Sequence, residues 1–536
     1  MSSRTTYYIT TPIYYVNDVP HIGHAYTTLA CDVLARFKRL DGLDVHFLTG
    51  TDEHGQKIEK AAAAAGLSPQ EFADKVSVSF RDLIGTMDYS PDNFIRTTEP
   101  RHYRAVQALW EKLVAAGDIY LGKYAGWYSV RDETYFVEGE TELGSDGKRR
   151  ATATGAEVEW VEEPSYFFKL SAWGERLLAF YEANPRFIGP DSRRNEVISF
   201  VRGGLQDLSV SRTSFSWGIP VPGDEKHVMY VWLDALTNYI TECGYPDTSD
   251  PLWKYWPADL HMVGKDIIRF HCVFWPAFLM AAGVAPPQRV FAHGWWTNEG
   301  QKISKSLGNV IDPVDLVKTY GLDPVRYFLM REVPFGNDGD FQKRAIIGRL
   351  NGDLANAYGN LCQRVLSIVA RNCDGRVPAK GNLVEADTAL LQRAGGLLDA
   401  VRRELDEQAF HRALTTIWDV IAEANRYVDA QAPWALAKTD PARRDTVLWV
   451  LAETIRQVTL LLQPFIPESA GRILDQLAVP AERRGFAAFG QALEPGTALP
   501  PPQGVFPRYV EPGQAPAGKS ADKPGKGVGK AGGAAG

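Results

Sequence analysis

The N-terminal part of the chain alternates strand-like and helix-like segments. TYYIT, which ends at Thr10, has the aromatic and β-branched residues of a strand, and VHFLTGTDEHG, from Val45, repeats that pattern. Between them, Ala30, Val33, Leu34 and Phe37 recur at the spacing of one helix face, and the run stops near Gly42. This order predicts an α/β fold with a doubly wound, Rossmann-like parallel sheet, whose ligands bind at the carboxyl ends of the strands.

The alternation changes twice further along the chain. Aromatic-rich strand-like pieces predict a small β-rich insertion at 118–223, and amphipathic helices from about Arg344 to about Leu477 predict an all-α helical bundle. The predicted domains are therefore 1–117 and 224–345 for the two halves of the sheet domain, 118–223, 346–490, and a C-terminal extension at 491–536. From about Pro512 the Gly-, Ala-, Pro- and Lys-rich extension predicts a disordered basic tail.

Composition excludes several classes of protein. No apolar run reaches the about 18 residues of a membrane span, and the N-terminus lacks the pattern of a secretory signal, so we expect a cytoplasmic protein without membrane association. The five cysteines are scattered and never form C-x-x-C, which argues against a disulfide framework and a thiolate metal site. A net charge of -7 argues against nucleic-acid binding over the whole surface but leaves a local basic patch open.

Two histidines, His21 and His24, flank a glycine in the motif PHIGH, where the first strand leads into its helix. Backbone N–H groups and the positive end of the helix dipole favour an anion there, and imidazoles can donate to phosphate oxygens. Gly23 would leave room for a nucleotide against the backbone. Taken alone, the pair is equally compatible with histidines that only cap and pack the helix.

A second motif, QKISKSLGNVIDP, follows a strand-like run much later in the chain. Lys302 and Lys305 lie in a stretch bounded by Gly300 and Gly308, which predicts a mobile loop. Their ammonium groups could reach the β- and γ-phosphates of a nucleotide. Such a loop is also compatible with a solvated surface turn.

PHIGH and KISKS in this order resemble the paired signatures of the class I aminoacyl-tRNA synthetases. Within that class, TPIYYVN, FLTGTDEHG, YVWLDALTNY, GKDIIRFHCVFWPAFL and the helical half are similar to the methionyl-tRNA synthetase family, from about Tyr7 to about Leu477. The resemblance implies an enzyme that uses ATP with Mg²⁺ to activate methionine and then acylates tRNA(Met), including the initiator tRNA. In such chemistry, positioning and charge neutralisation matter more than a general base.

The resemblance assigns two groups of residues to the substrates. The predicted catalytic and ATP-binding residues are His21, Gly23, His24, Gly264, Asp266, Lys302, Ser304 and Lys305, with Asp266 facing the ribose. The predicted methionine-binding residues are Ile13, Tyr15, Asp52, Trp232, Ala235, Leu236, Tyr239, Ile267, Phe270, His271 and Trp275, with Asp52 as the anchor for the α-ammonium group. Without the resemblance, Asp52 could instead cap a helix, and the aromatic residues and His271 could belong to the core.

Three residues of the helical half match the family's anticodon readers. Asn360 and Arg364 lie one turn apart in GNLCQRV, and Trp434 follows Pro433 in QAPWALAK. Amide and guanidinium groups can bind base edges, and an indole can stack on an unpaired base. A core tryptophan beside a helix-surface pair is the alternative.

The chain departs from the family in its insertion, where many members carry C-x-x-C zinc knuckles. Ser129 and Asp132 stand at the first such pair, and the insertion has no cysteine, so we expect no zinc. We also expect a monomer, because the C-terminal dimerisation domain of some members is missing. Two other functions stay open: a different nucleotidyltransferase of the superfamily, and a non-catalytic RNA-binding relative.

Overall fold

A computed structural model describes residues 5–16, 19–304 and 307–511, so the predicted tail from Pro512 lies outside the described residues. The strands are β1 (Thr6–Thr10), β2 (Tyr14–Tyr15), β3 (Asp44–Asp52), β4 (Asn93–Arg96), β5 (Ile119–Ser129), β6 (Thr134–Phe136), β7 (Thr141–Leu143), β8 (Arg149–Ala151), β9 (Glu159–Phe168), β10 (Ile188–Gly189), β11 (Leu208–Ser209), β12 (Ser211–Arg212), β13 (Pro220–Val221), β14 (Asp224–Met229), β15 (Leu260–Gly264), β16 (Val290–His293), β17 (Trp296–Asn298), β18 (Gln301–Lys302) and β19 (Gly339–Phe341). The helices are α1 (Ile22–Leu40), α2 (Gln56–Ala64), α3 (Pro69–Thr86), α4 (Pro100–Ala115), α5 (Gly174–Ala183), α6 (Asp191–Arg202), α7 (Val231–Thr241), α8 (Trp275–Ala281), α9 (Pro313–Tyr320), α10 (Leu322–Arg331), α11 (Lys343–Gly348), α12 (Asn360–Asn372), α13 (Glu385–Gly395), α14 (Leu397–Asp406), α15 (Phe410–Gln431), α16 (Pro433–Thr439), α17 (Pro441–Leu462) and α18 (Pro467–Gln476).

A parallel sheet forms the centre of the N-terminal half. Its strands run in the order β10, β16, β15, β1, β3 and β4, and each neighbouring pair is parallel. The short β2 pairs with the carboxyl end of β3, where Tyr15 lies opposite Asp52. The predicted doubly wound α/β fold is confirmed, and the edge at which β1, β3 and β15 end is where such a fold binds its ligand.

Helix α1 is buried on nearly all sides rather than along the single stripe that its sequence predicts. Thr28 and Asp32, outside the predicted stripe, are 2% and 0% exposed. The central sheet covers one side of the helix, and side chains of the helical half complete the same apolar core. Its position therefore depends on both halves of the chain.

The predicted insertion is largely an antiparallel sheet, in the order β11, β9, β5 and β6, and β5 and β9 pair along most of their lengths. Its tip has a small apolar cluster of Phe136, Ala151 and Val158, against which Trp127 packs. Within the predicted range 118–223, however, β10 pairs with β16 of the central sheet. The chain thus re-enters the sheet inside this range, and a two-residue strand gives no periodicity by which the sequence could have shown it.

The C-terminal half is helical, as predicted. The long helices α15 and α17 pack against each other and against α13, α14 and α12. A buried arginine of α10, Arg326, joins this half to the sheet domain: its Nη2 donates to Asp32 Oδ2 of α1 at 2.6 Å and to the Pro464 carbonyl at 2.8 Å. Among the described helices, none is long and apolar enough to cross a lipid bilayer.

We predict that the insertion folds without zinc. Ser129 Oγ accepts the Asp132 amide hydrogen at 3.1 Å, so a hydroxyl and a backbone amide close the turn where a zinc knuckle would begin. Elemental analysis of protein purified without chelators should find no stoichiometric zinc, and treatment with a chelator should leave its melting temperature unchanged. Stoichiometric zinc, or melting at a lower temperature after chelation, would contradict the prediction.

Candidate functional site

The carboxyl edge of the central sheet borders a cavity of about 430 Å³. This volume lies in the range of small-molecule sites. Both predicted substrate groups contribute to its wall. The predicted residues that line it are Ile13, Tyr15, His21, Gly23, His24, Asp52, Trp232, Ala235, Leu236, Tyr239, Gly264, Asp266, Ile267 and His271.

The two histidines of PHIGH cap the helix that they begin. His21 Nδ1 accepts a hydrogen bond from the Gly23 amide at 3.0 Å, and His24 Nδ1 accepts one from the His21 amide at 3.1 Å. The rings lie side by side with centroids 3.9 Å apart. The histidines therefore cap the helix, as the alternative interpretation of the motif predicts.

Capping also determines which ring nitrogen can donate. Burial lowers the pKa of His21, and burial together with His21 lowers the pKa of His24 well below its usual value. In a neutral imidazole whose Nδ1 accepts, the proton is on Nε2. Each ring thus offers one N–H donor at the helix N-terminus, where an anion is also favoured by the helix dipole.

The two predicted glycines leave room for side chains of the site itself. A Cβ on Gly23 would lie 2.9 Å from His21 Cε1, and a Cβ on Gly264 would lie 2.4 Å from Asp266 Oδ1. A side chain at either position would force the neighbouring side chain to shift, so each glycine first accommodates that neighbour.

Asp52, at the end of β3, has the burial and the unsatisfied oxygen that favour binding of a cation, as far as the described residues show. It is 7% exposed, and among the described residues its Oδ1 has no hydrogen-bond partner. Burial, followed by the charges of Asp234 and Glu133, raises its pKa well above the usual value. A cation beside the carboxylate would offset this cost and lower the pKa again.

A second polar group lies among apolar side chains of the same wall. His271 Nδ1 donates to the Ile267 carbonyl at 3.0 Å, so its Nε2 accepts from the Tyr239 hydroxyl at 2.7 Å. Burial lowers the pKa of His271 to about 4, and the ring is neutral. Core packing and a site role are therefore compatible for this residue.

Two predicted pocket residues, Phe270 and Trp275, lie behind the wall rather than on it. Phe270 stacks on Trp232 with centroids 3.8 Å apart, and Trp275 is 0% exposed and donates to His261 Nε2 at 3.3 Å. They support the residues that line the cavity. Helical spacing alone cannot separate these two layers.

A buried network that the sequence did not reveal fixes the loop after Asp52. Asp234 of α7 accepts from His54 Nδ1 at 2.6 Å and from His102 Nε2 at 2.7 Å. Contact with the two histidines holds the pKa of Asp234 at about 2 despite its burial. Because Asp234 precedes Ala235 of the wall, the network joins β3, α4 and α7 around the cavity.

Other lining residues were also missed, chiefly Lys57, Glu133, His293 and Trp295. Trp295 is 47% exposed, and its Nε1 donates to Asp266 Oδ1 at 3.1 Å. The run HGWW, which begins at the last residue of β16, was a signal for the last two, since it stands at a strand's carboxyl end.

The KISKS segment is described only in part. Lys305 lies outside the described residues. Lys302 and Ser304 are described but do not belong to the cavity wall. The side chain of Asn309 bridges them: its Nδ2 donates to the Lys302 carbonyl at 3.0 Å, and its Oδ1 accepts from the Ser304 amide at 2.8 Å.

The three predicted anticodon readers lie at the start of α12 and of α16. Asn360 is exposed and Trp434 is 47% exposed, so Trp434 is not a core residue. The Arg364 guanidinium lies 6.0 Å from the Trp434 ring centroid and pairs with Asp429 at 2.8 Å. Arg364 and Trp434, far apart in the sequence, thus share one surface.

Known proteins match nearly the whole chain. The family described as tRNA synthetases class I (M) matches residues 7–366, and the anticodon binding domain of methionyl tRNA ligase matches 377–515. A methionine–tRNA ligase of Mesorhizobium japonicum is 60% identical over 511 residues, which are 95% of this chain and 99% of that protein. The structure of Mycobacterium tuberculosis methionyl-tRNA synthetase in complex with methionyl-adenylate has a TM-score of 0.93 at 57% identity, covering 94% of this chain and 100% of that one. The apo form from that organism has a TM-score of 0.87 at 54% identity, covering 95% and 99%.

The buried neutral His271 predicts a pH effect on stability. Below the ordinary pKa of histidine, His271 is protonated in the unfolded chain, whereas in the folded chain it stays neutral down to about pH 4. The free energy of unfolding therefore falls as the pH decreases. For this residue the loss is about 2 kcal/mol between pH 7.5 and 5. In urea unfolding, His271→Gln should therefore lose less stability than the wild type over that interval. Parallel pH dependences of the two proteins would contradict the prediction.

Proposed function

Since the chain belongs to the methionyl-tRNA synthetase family of class I aminoacyl-tRNA synthetases, we propose that it joins methionine to tRNA through this cavity. It activates L-methionine with ATP and transfers it to tRNA. The observation that supports the site assignment is the shared cavity. An Asp52 oxygen, which has no hydrogen-bond partner within the described part of the chain, and the rings of His21 and His24 belong to one wall.

The first step forms methionyl adenylate. A methionine carboxylate oxygen attacks the α-phosphorus of ATP in line, and the bond to pyrophosphate breaks. His21 and His24 donate their Nε2–H groups to the phosphate oxygens and help to carry the charge that develops there. In the second step a ribose hydroxyl of the terminal adenosine of tRNA attacks the methionyl carbonyl, and AMP leaves.

Methionine is held by one charge and an apolar wall. Asp52 binds the α-ammonium group, whose positive charge repays the cost of the buried carboxylate. The apolar methionine-binding residues surround the side chain, because an unbranched thioether packs well against aromatic rings. Phe270 and Trp275 act from behind this wall, through Trp232 and His261.

ATP occupies the side of the cavity formed by His21, Gly23, His24, Gly264 and Asp266. It enters as its Mg²⁺ complex, since Mg²⁺ is bound mainly by substrate phosphates and keeps several waters. Among the described residues, no cluster of three His, Cys, Asp or Glu side chains could hold a further metal ion. Lys302, Ser304 and Lys305 reach the departing pyrophosphate from the KISKS segment.

The helical half reads the anticodon of tRNA(Met), the initiator tRNA included. Asn360 and Arg364 bind base edges, and the exposed ring of Trp434 stacks on an unpaired base. The proposed catalytic halves are 1–117 and 224–345, and the proposed anticodon-binding domain is 346–490. The connective insertion is 118–223 except for β10, which pairs with β16 of the central sheet. One chain brings both predicted substrate groups to the same cavity, and we propose that the enzyme acts as a monomer. The described cysteines form no disulfide with one another, which suits the cytoplasm.

Amino-acid-dependent ATP–pyrophosphate exchange tests the proposal most directly. With all twenty amino acids tried one at a time, only methionine should support rapid exchange. Exchange driven by leucine or cysteine would overturn the specificity. No exchange with any amino acid would favour an RNA-binding relative without catalysis.

Replacement of the exposed indole should separate the two steps. Trp434→Ala removes about 1–3 kcal/mol of stacking per base, so we expect aminoacylation efficiency to fall roughly five- to hundredfold or more. Methionine-dependent exchange should be unchanged. Val384→Ala, which trims another exposed apolar side chain of the helical half, is the control. Equal losses of exchange and aminoacylation would remove Trp434 from the anticodon site.

A further inference from the structure

Glu133 brings a buried carboxyl group from the insertion into the cavity. It lies in the turn between β5 and β6, it is 8% exposed, and it lines the cavity. Its φ of 48° belongs to the left-handed region, which a glutamate rarely adopts. The turn therefore accepts backbone strain at the residue whose side chain points inward.

The carboxyl group of Glu133 has two partners in the catalytic half. The Tyr15 hydroxyl donates to Glu133 Oε1. Burial raises the pKa of Glu133 to about 7, and the Tyr15 hydroxyl together with the charge and the backbone amide of Lys57 limits that rise. The Lys57 ammonium lies 5.4 Å from the centroid of the Tyr15 ring. Glu133 thus holds the Tyr15 hydroxyl, and the Lys57 ammonium faces the Tyr15 ring.

The surrounding backbone is shaped to allow this contact. A Cβ on Gly55 would lie 2.8 Å from the Tyr15 hydroxyl oxygen and 2.9 Å from Glu133 Oε1. Gly55 has a φ of 108°, which a residue with a side chain would rarely adopt. Gly55 belongs to the loop that follows Asp52, so Tyr15, Glu133 and the ammonium anchor meet in one place.

Other hydrogen bonds also hold the insertion against the catalytic half. Trp217, on the return from the insertion, accepts from the Gly55 amide at 3.0 Å, and its Nε1 donates to the Glu53 carbonyl at 2.5 Å. Ser216 adds two bonds to Glu59, at 3.2 and 3.0 Å. With these bonds intact, loss of the Glu133 carboxyl would release Tyr15 rather than the insertion.

We infer that Glu133 is a positioning residue that holds Tyr15 against bound methionine, so that the insertion takes part in amino-acid binding. The inference rests on the proposed function, because it requires methionine beside Tyr15. Glu133 does not touch the reacting atoms. Its loss should therefore weaken methionine binding and leave the rate of the chemical step nearly unchanged.

The test measures the methionine KM, the ATP KM and kcat by exchange, and the methionine Kd by calorimetry with L-methionine alone. Glu133→Ala should raise the methionine KM and Kd about tenfold, the usual effect of losing one hydrogen bond to a charged group. The ATP KM and kcat should stay within about twofold. Glu133→Gln should restore most of the affinity, because its amide oxygen can accept the tyrosine proton.

Tyr15→Phe removes the same hydrogen bond from the other side and keeps the ring. It should raise the methionine KM as Glu133→Ala does. The methionine KM of the double variant should be no higher than that of either single variant, because both changes remove the same hydrogen bond. It also tests the inference if Glu133→Ala does not fold. Glu138→Ala is the matched control, since Glu138 is a carboxylate of the same insertion that binds Trp127 Nε1 away from the cavity.

A wild-type methionine KM in folded Glu133→Ala or in Tyr15→Phe would overturn the inference. So would an equal rise in Glu138→Ala. Failure of the wild-type protein to catalyse methionine-dependent exchange would instead overturn the proposed function, so the two failures are distinguishable.

Discussion

The buried ion pair between Arg326 and Asp32 determines how the two halves of the molecule meet. Arg326 also donates to the carbonyls of Met87, Pro464 and Phe465, and Asp32 accepts from the Ser90 amide and hydroxyl. These partners lie in two other segments, the one after α3 (Met87 and Ser90) and the one between α17 and α18 (Pro464 and Phe465). A buried charge left without its partner would cost several kcal/mol. The helix that begins with PHIGH is thereby held at its middle by Arg326, which is bonded in turn to the helical half, while its N-terminus faces the cavity.

Structure and chemistry use the same atoms at that N-terminus. An accepted hydrogen bond at Nδ1 satisfies orphan amides of the helix and at the same time leaves the proton on Nε2. Capping and the proposed phosphate binding then both follow from one tautomer. His271 is similar: the hydrogen bond from its Nδ1 to a backbone carbonyl fixes the ring and leaves Nε2 to accept from Tyr239.

The sequence predicted those parts of the fold and site whose signals are local. The β1, α1 and β3 pattern, the histidine pair and Asp52 at a strand end all lie in short segments, and each was placed where the structure has it. Glu133 was missed because its partner Tyr15 is 118 residues away, and no periodicity links a hairpin turn to a distant strand. The only hint was that Ser129 and Asp132 replace the expected cysteines. Phe270 and Trp275 were assigned to the cavity wall but lie behind it, because residue spacing predicts which face of a helix is buried and not how deep each side chain lies.

The burial of α1 has a consequence for how the chain is made. Asp32 leaves the ribosome early, yet Arg326, Pro464 and Phe465 are synthesised much later. At ~5–20 residues per second the delay is about 15–60 s for Arg326 and about 20–90 s for Pro464. During that time one side of an apolar helix has no cover, and the sheet domain cannot reach its final packing. Folding that depends on such non-local contacts is slow and leaves aggregation-prone apolar surface exposed. The nascent chain therefore has a long interval in which a chaperone could bind it.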